Sequence, residues 1–435
     1  MKICAYVLET NAKLTYKNEC FNTRLNAGMA IVIDILRKRG YEIDYAGKAT
    51  VHKYDIALMS ITSDCDWWPF IAERSQWQKS NCKVIVGGQG VLNVRPFLEF
   101  VDYFVLGRAE NVIGELVDAI SKGKEIELDK FIESSKFDID KKYTINQVTE
   151  RYPCKVKLGN GEEYEEDIIG CNHRCLFCGY TWQRKTVLDG EFKYSGLWNG
   201  GEDRERAIID LENGSEINFT KMRTTAIDGL SERLRFMVNK KITRNMLKNF
   251  LYRLHTEGKP HQVKLYNIIG YPTETEADWW EFLQDLADVD AKLPIKEKQT
   301  SILLHSTPFR AMPATPLACK PMSYKNYRQT LAKTLGRGLK GNILYQGRAM
   351  WAVESMATES IPTVVQSAIV WRGTEQDTEN ILKVALSKKF KSANMQIKKA
   401  TLENYFDVKK LFGEFNAQTL PTRYLKTYAN IEKSW

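Results

Sequence analysis

Residues 162–185, EEYEEDIIGCNHRCLFCGYTWQRK, carry three of the chain's nine cysteines within eight positions: Cys171, Cys175 and Cys178. The other six stand singly, at Cys4, Cys20, Cys65, Cys82, Cys154 and Cys319. An odd number of scattered cysteines argues against a disulfide framework and for a reducing compartment, so the single ones read as core fillers. The clustered three need another explanation. Thiolates at CxxxCxxC spacing hold one metal incompletely or three metals of one cluster. A structural zinc wants four ligands, which His173 could complete, but zinc ligand pairs usually come as two separated arms. A cubane [4Fe–4S] cluster takes four cysteines, so three leave one iron open to a further ligand.

Upstream of this loop, residues 1–120 alternate short apolar runs with helix-length segments. KICAYVL (2–8), YEIDYAG (41–47), YDIALMSI (54–61), CKVIVGG (82–88) and VDYFVLG (101–107) read as five strands closed by polar or glycine-containing turns. Leu25, Met29, Ile33 and Leu36 recur at helical spacing over 24–39. Such alternation predicts an α/β fold, here a doubly wound, flavodoxin-like, five-stranded parallel sheet over 1–140, with ligands beyond its C-terminal strand ends. A charged stretch with a hairpin turn, LGNGEE (158–163), follows. A second alternation then runs through YEEDIIG (164–170), INFTKMRTTAIDG (217–229), VKLYNIIGYP (263–272) and TSILLHSTPF (300–309), with helices over 231–238, 244–256 and 275–287. It predicts a second domain over 141–320, a partial or irregular (β/α) barrel, and a helical, basic C-terminal region over 321–435.

A chain of 435 residues suffices for two or three domains with real cores. No apolar run approaches the roughly 18 residues a membrane span needs, and MKICAYVLETNAK runs into Glu9 and Thr10 where a signal peptide carries small residues. The chain therefore reads as soluble and cytoplasmic. Its net charge of +9 is concentrated at the end, since residues 381–435 hold eleven Lys or Arg against four Asp or Glu. Interleaved aromatics there permit a nucleic-acid surface, although a solvated face explains the charge as simply.

CNHRCLFC resembles the CxxxCxΦC loop of radical S-adenosylmethionine enzymes, with Phe177 at the aromatic position. AIDGLSERLRFMVNKKIT (226–243), LYNIIGYPTETEADWWEFL (265–283) and HSTPFRAMPATPL (305–317) are similar to later elements of that family, in the same chain order. VIVGGQGV (84–91) and VDYFVLGRAENVIGEL (101–116) resemble the cobalamin-binding domain that precedes the barrel in one subfamily. The resemblance implies that Cys171, Cys175 and Cys178 hold a [4Fe–4S] cluster whose open iron binds S-adenosylmethionine. Reduction by a flavodoxin- or ferredoxin-type donor would then release a 5′-deoxyadenosyl radical.

The resemblance also implies a set of S-adenosylmethionine contacts: Phe177 and Tyr180 beside the cluster, Gly200, Gly201 and Glu202 as a GGE element, Ser231 and Arg233, and Gly270 and Pro272. Each has a plainer explanation. NGGE (199–202) is commonly a turn, Ser231 would cap a helix, Gly270 and Pro272 would turn a strand into a helix, and Tyr180 and Trp182 would pack in a core. Only 50 residues separate Cys178 from GLSER (229–233), short for complete strand–helix units. For cobalamin the corresponding set is Ser60, Thr62, Trp67, Trp68, Gly87, Gly88, Gly90 and Gly107, with Trp67 or Trp68 equally suited to packing under a helix. The loop after the first strand, ETNAKLTYKN, has no histidine, and His52 precedes a strand, so cobalamin would bind without histidine coordination.

These features predict a cobalamin-dependent radical methyltransferase acting on an unactivated carbon or a phosphinate. Alternatives are a radical enzyme of other chemistry, such as ring formation or rearrangement, with a degenerate cobalamin domain, and a metal-stabilised nucleic-acid-binding protein. No catalytic residue and no substrate can be named from the sequence.

Overall fold

The computed structural model describes most of residues 1–317 and the strand 350–355. Outside it lie chiefly 9–25, 63–65, 126–129, 139–142, 183–193, 196–201, 295–299, 310–314, 318–349 and 356–435, with several shorter stretches. The predicted helical, basic C-terminal region, Gly200, Gly201 and Pro272 therefore fall outside the described residues, as does the loop from Glu9 onward.

The N-terminal runs form strands β1 (Ile3–Tyr6), β2 (Ile43–Ala46), β3 (Ile56–Ser60), β4 (Lys83–Gly87) and β5 (Tyr103–Phe104). They pair in parallel in the order β2-β1-β3-β4-β5, the flavodoxin-like order. A sixth strand, β6 (Ile132–Glu133), adds antiparallel to β5, where five strands were expected. At two residues, it carries no periodic signal of its own.

Alternation along the strands splits the apolar side chains between two faces. Ile3, Ala5, Ile56, Leu58, Ile85 and Val105 face helices α1 (Ala27–Lys38) and, further along the chain, α3 (Ile113–Lys122). Cys4, Tyr6, Ala57, Met59, Val84 and Val86 face α2 (Trp67–Trp77) through Phe70, Ile71 and Trp77. Asn26 starts α1, its Oδ1 accepting from the Met29 backbone N–H at 3.1 Å.

The LGNGEE turn does close a hairpin, β7 (Val156–Lys157) with β8 (Glu163–Tyr164), whose Val156 and Tyr164 cover Ala30 and Ile31 of α1. Of YEEDIIG, Tyr164 belongs to this hairpin, Asp167 and Ile168 lie outside the described residues, and the described remainder adds no strand to the second sheet.

The second sheet comprises β9 (Tyr194–Ser195), β10 (Glu202–Asp203), β11 (Met222–Ala226), β12 (Gln262–Ile269), β13 (Ser301–Pro308) and β14 (Met350–Ser355). From β10 to β14 neighbours are parallel and in chain order, with β9 antiparallel at one edge, and β9 and β14 do not pair. The sheet is an open segment of barrel. Between its strands lie α5 (Ala207–Glu212), α6 (Glu232–Met237), α7 (Arg244–Glu257) and α8 (Glu276–Asp290); α4 (Gly179–Trp182) follows the cysteine loop.

Helices α5, α7 and α8 pack on one face of this sheet, against Val263, Leu265, Ile269, Ile302 and Leu304. One-sided cover is the barrel pattern, unlike the two-sided cover of the first sheet. Leu176, Leu234, Val238, Tyr271, Phe309 and Leu317 instead join the core on the α2 side of the first sheet. The cysteine loop thus lies between the two sheets.

Candidate active site at the cysteine loop

Positive φ at Gly170 (70°) and Arg174 (50°) turns the chain sharply at both ends of the segment leading to Cys175. Thr181, buried in α4, donates its hydroxyl to the Cys171 carbonyl at 2.8 Å, and Arg174 Nη1 donates to the Thr181 carbonyl at 2.7 Å. The other side of the loop hangs on the turn after α6. Leu176 N–H donates to the Val238 carbonyl at 2.9 Å. Asn239 Nδ2 donates to the carbonyls of His173 and Arg174. Asn239 itself adopts φ of 64°, a conformation that asparagine tolerates better than most residues.

Cys175 is buried; Cys171 and Cys178 are partly exposed. Burial pushes the Cys175 thiol far up, against the opposing charge of Lys240. Among the described residues no three His, Cys, Asp or Glu side chains converge on a single ion position. A mononuclear zinc draws all its ligands to within about 2.3 Å of one point, whereas a cubane spreads its thiolates over separate irons.

Above the loop, Asp228 ends β11's extension at φ 53°, and its Oδ2 lies 2.7 Å from Lys240 Nζ. Both side chains are largely buried. Gly270, at φ 78°, ends β12, and the Glu274 carboxylate accepts from the Gly270 and Tyr271 backbone N–H groups and from Trp279 Nε1, at 2.6, 2.9 and 2.8 Å. Burial nevertheless pushes Glu274 up to about 7, its three donors only partly offsetting the desolvation. The ring of Tyr271 lies 6.1 Å from Phe177 and 5.3 Å from Phe309.

The residues singled out from sequence divide accordingly. Phe177 and Tyr180 flank the cysteines, both partly exposed. Ser231 caps α6, accepting from Leu234 N–H at 3.2 Å, and donates to Asp278 Oδ1 at 2.5 Å. Arg233 binds the same carboxylate at 2.6 Å and the Thr273 carbonyl at 2.9 Å. Both are thus tied to the start of α8. Glu202 pairs with Met222, at the N-terminal end of β11, whereas the cysteine loop, Asp228 and Gly270 gather at the C-terminal end. The structure does not bring Glu202 together with them.

At the C-terminal edge of the first sheet, Ser60 accepts from Asn26 Nδ2 at 2.9 Å, and Thr62 donates its hydroxyl to Asp66 at 2.6 Å. Gly88 and Gly107 adopt φ of 108° and 80°; a Cβ on either would stand 2.4 Å from a backbone oxygen, of Ile61 or Asn146. Gly90 N–H donates to the Ile61 carbonyl at 2.9 Å, and Gly87 has only ordinary contacts. Trp67 and Trp68 open α2. His52 is exposed in a short turn before β3, away from this edge.

Asn239, Thr181 and Tyr271 carry no signal of their own in the sequence, whereas Glu274 is the acidic residue that follows Gly-x-Pro in LYNIIGYPTETEADWWEFL. Asp228 and Lys240 carried a signal, as the acidic residue before the glycine and the later lysine of AIDGLSERLRFMVNKK.

Residues 53–139 match the family described as "Radical SAM proteins, N-terminal". "Uncharacterized protein MJ0966" of Methanocaldococcus jannaschii is 25% identical over 279 residues, 54% of this chain and 62% of that protein. The match thus spans less than two thirds of the relative's length. Two structures of the radical S-adenosylmethionine methyltransferase TsrM from Kitasatospora setae also align. One, with cobalamin and a [4Fe–4S] cluster bound, aligns over 100% of this chain and 99% of that one, at 12% identity and a TM-score of 0.46. The other, with tryptophan substrate and aza-SAM bound, aligns over 82% and 67%, at 14% identity and a TM-score of 0.32. No helix among the described residues is long and apolar enough to cross a membrane.

Proposed function

We propose that this chain is a radical S-adenosylmethionine enzyme that transfers a methyl group, with cobalamin, to an unactivated carbon or phosphinate. The observation that carries the proposal is the position of the three-cysteine loop between two sheets, following the stretch 53–139 that matches the N-terminal family of radical SAM proteins. Cys171, Cys175 and Cys178 would hold the cluster. When bound, it supplies an electron and an open coordination site for S-adenosylmethionine.

The chain's own contribution is to hold the loop and keep water away. Asn239 and Thr181 fix the loop's backbone, and the apolar contact of Leu176, Phe177, Tyr271 and Phe309 with the first sheet's core closes its inner side. S-adenosylmethionine would lie against Phe177, Tyr180 and the strand ends at Asp228 and Gly270. Ser231 and Arg233 would support this edge through Asp278. Cobalamin would lie over the other C-terminal edge, against Thr62, Gly87 and Gly90. A flavodoxin- or ferredoxin-type protein would deliver the electron.

A second possibility, a radical enzyme of other chemistry with a degenerate cobalamin domain, is favoured by one observation: Ser60, Gly88 and Gly107 are engaged by the protein itself. One experiment separates the two. Anaerobic reconstitution should yield about four irons and four sulfides per chain. Cobalamin absorbance and mass spectrometry of the S-adenosylmethionine products then read the chemistry. S-adenosylhomocysteine with bound cobalamin supports methyl transfer, 5′-deoxyadenosine without cobalamin supports the second reading, and a chain that takes up no iron refutes both.

A further inference from the structure

Phe236 is 46% exposed on α6, the short helix whose C-terminal turn carries the cysteine loop. Leu234 and Val238 of the same stretch are buried in the core shared with the first sheet, and Met237 packs against it. Phe236 therefore lies on the outer face, where its ring forgoes the stabilisation that burial gives. One exposed apolar side chain needs no explanation by itself. Its surroundings supply one.

The free charge on α6 and its turn is positive. Lys241 is exposed and makes no ion pair among the described residues. The guanidinium of Arg233 is 50% exposed, although it binds Asp278, which is 5% exposed. The acidic residues of the same segment are taken up within the protein, Asp228 by Lys240 at 2.7 Å and Glu232 by the Arg244 backbone N–H at 2.6 Å.

This face also occupies a particular side of the loop. Leu176 seals the loop's inner side into the shared core, and S-adenosylmethionine would lie at the strand ends by Asp228 and Gly270. The remaining side hangs on α6, through Leu176 N–H to the Val238 carbonyl at 2.9 Å and through Asn239 Nδ2 to the carbonyls of His173 and Arg174. A radical site has to keep water out, so the electron must arrive from a side that the reactants do not use.

We infer that the outer face of α6 and its turn, with Phe236 at the centre and Lys241 at the rim, is the docking surface for an acidic one-electron carrier protein of the flavodoxin type. The inference rests on the proposed function above: the carrier's hydroquinone gives up one electron and becomes the semiquinone, and the cluster passes from the 2+ to the 1+ state. Electron-transfer encounters bury little area, so a small patch with one aromatic anchor suffices. Charge complementarity at its rim sets the association rate and its salt dependence.

The test uses the full-length chain, loaded anaerobically, and a purified flavodoxin. Binding of oxidised flavodoxin is read by titration calorimetry. Cluster reduction by flavodoxin hydroquinone is read by stopped flow, with dithionite, which needs no docking, as the reference reductant. Phe236→Ser and Lys241→Glu should each weaken binding and slow reduction by flavodoxin about tenfold, and leave reduction by dithionite unchanged. Added salt should shrink the difference between Lys241→Glu and wild type but not that of Phe236→Ser, and Lys241→Arg should behave as wild type. Tyr252→Ser should change nothing: Tyr252 is 39% exposed on α7, beside Arg253, which lies over Phe219 just before β11 at the opposite end of the sheet.

Flavodoxin that binds and reduces both variants as it does the wild type overturns the inference. So does an equal loss with dithionite, which would assign the two residues to holding the loop, and so does a wild-type dimer that dissociates in Phe236→Ser, which would give the surface to a second copy. A loaded wild-type chain that flavodoxin neither binds nor reduces overturns the inference and leaves the proposed function standing. A wild-type chain that takes up no iron removes the proposed function itself, and the inference with it.

Discussion

Lys240 Nζ stands 2.7 Å from Asp228 Oδ2, and the pair joins the end of β11 to the turn that carries the cysteine loop. The side chains are 6% and 15% exposed, so the partners are held with little water around them. Removing one partner of a buried pair costs about 3–5 kcal/mol because the other charge is stranded. Lys240→Met should therefore destabilise the protein by about 3 kcal/mol in urea unfolding. Adding Asp228→Leu should restore a large part of the loss, since replacing both charges leaves none stranded. A double variant no more stable than Lys240→Met would show that the pair has another function.

Cys171→Ala, Cys175→Ala and Cys178→Ala should each abolish cluster absorbance near 400 nm (roughly) and S-adenosylmethionine cleavage, since each removes a thiolate from a set that already lacks a fourth. Cys154→Ala, whose sulfur accepts from Lys38 at the end of α1, should retain both. Cleavage surviving in any loop variant would contradict the assignment of the three ligands.

Glu274 makes stability pH-dependent in an unusual direction. Burial raises its carboxyl from 4.5 to about 7, so the folded chain holds this proton more tightly than the unfolded one. Its contribution is greatest below pH 4.5 or so, is lost as pH climbs from there to about 7, and is constant above. Glu274→Gln should flatten that segment of the profile, which urea midpoints measured from pH 5 to 8 would show. An unaltered slope would mean that the carboxylate ionises normally with its three donors.

Two neighbouring glycines at the edge of the first sheet should respond oppositely to alanine. Gly88→Ala would place a Cβ 2.4 Å from the Ile61 oxygen at φ 108°, and should cost about 2–3 kcal/mol. Gly87→Ala meets nothing nearer than 3.7 Å and should be close to neutral in thermal melts. If cobalamin crosses this edge, Gly87→Ala should nonetheless weaken its binding, measured by absorbance titration.

The parts of this architecture legible in the sequence are those whose signal is local. β1 to β4 show as apolar runs between turns, and the hairpin shows in LGNGEE. The cysteine loop shows in its spacing alone. Less legible is whatever depends on chain reversal. Asn239 reaches Arg174 across 65 positions, a relationship that no window of sequence contains. Ser231 and Arg233 were visible as polar residues after a glycine, but their common partner, Asp278, lies 45 or more positions away. Glu202, the last residue of NGGE, has its place set by pairing at the far end of β11, while Asn199, Gly200 and Gly201 lie outside the described residues.

Leu176, Val238, Tyr271 and Phe309 share one apolar core with Tyr6, Phe70 and Phe97, so the two sheets, each with a helix-covered core of its own, also stand on a common one. Severed near residue 140, each half would present a greasy wound to water, and calorimetry of the intact chain should show a single endotherm. Anything that loosens the cysteine loop should therefore also loosen the core beneath the N-terminal sheet. A chain so built would not linger as a well-folded shell once this loop failed; it would become a substrate for proteases.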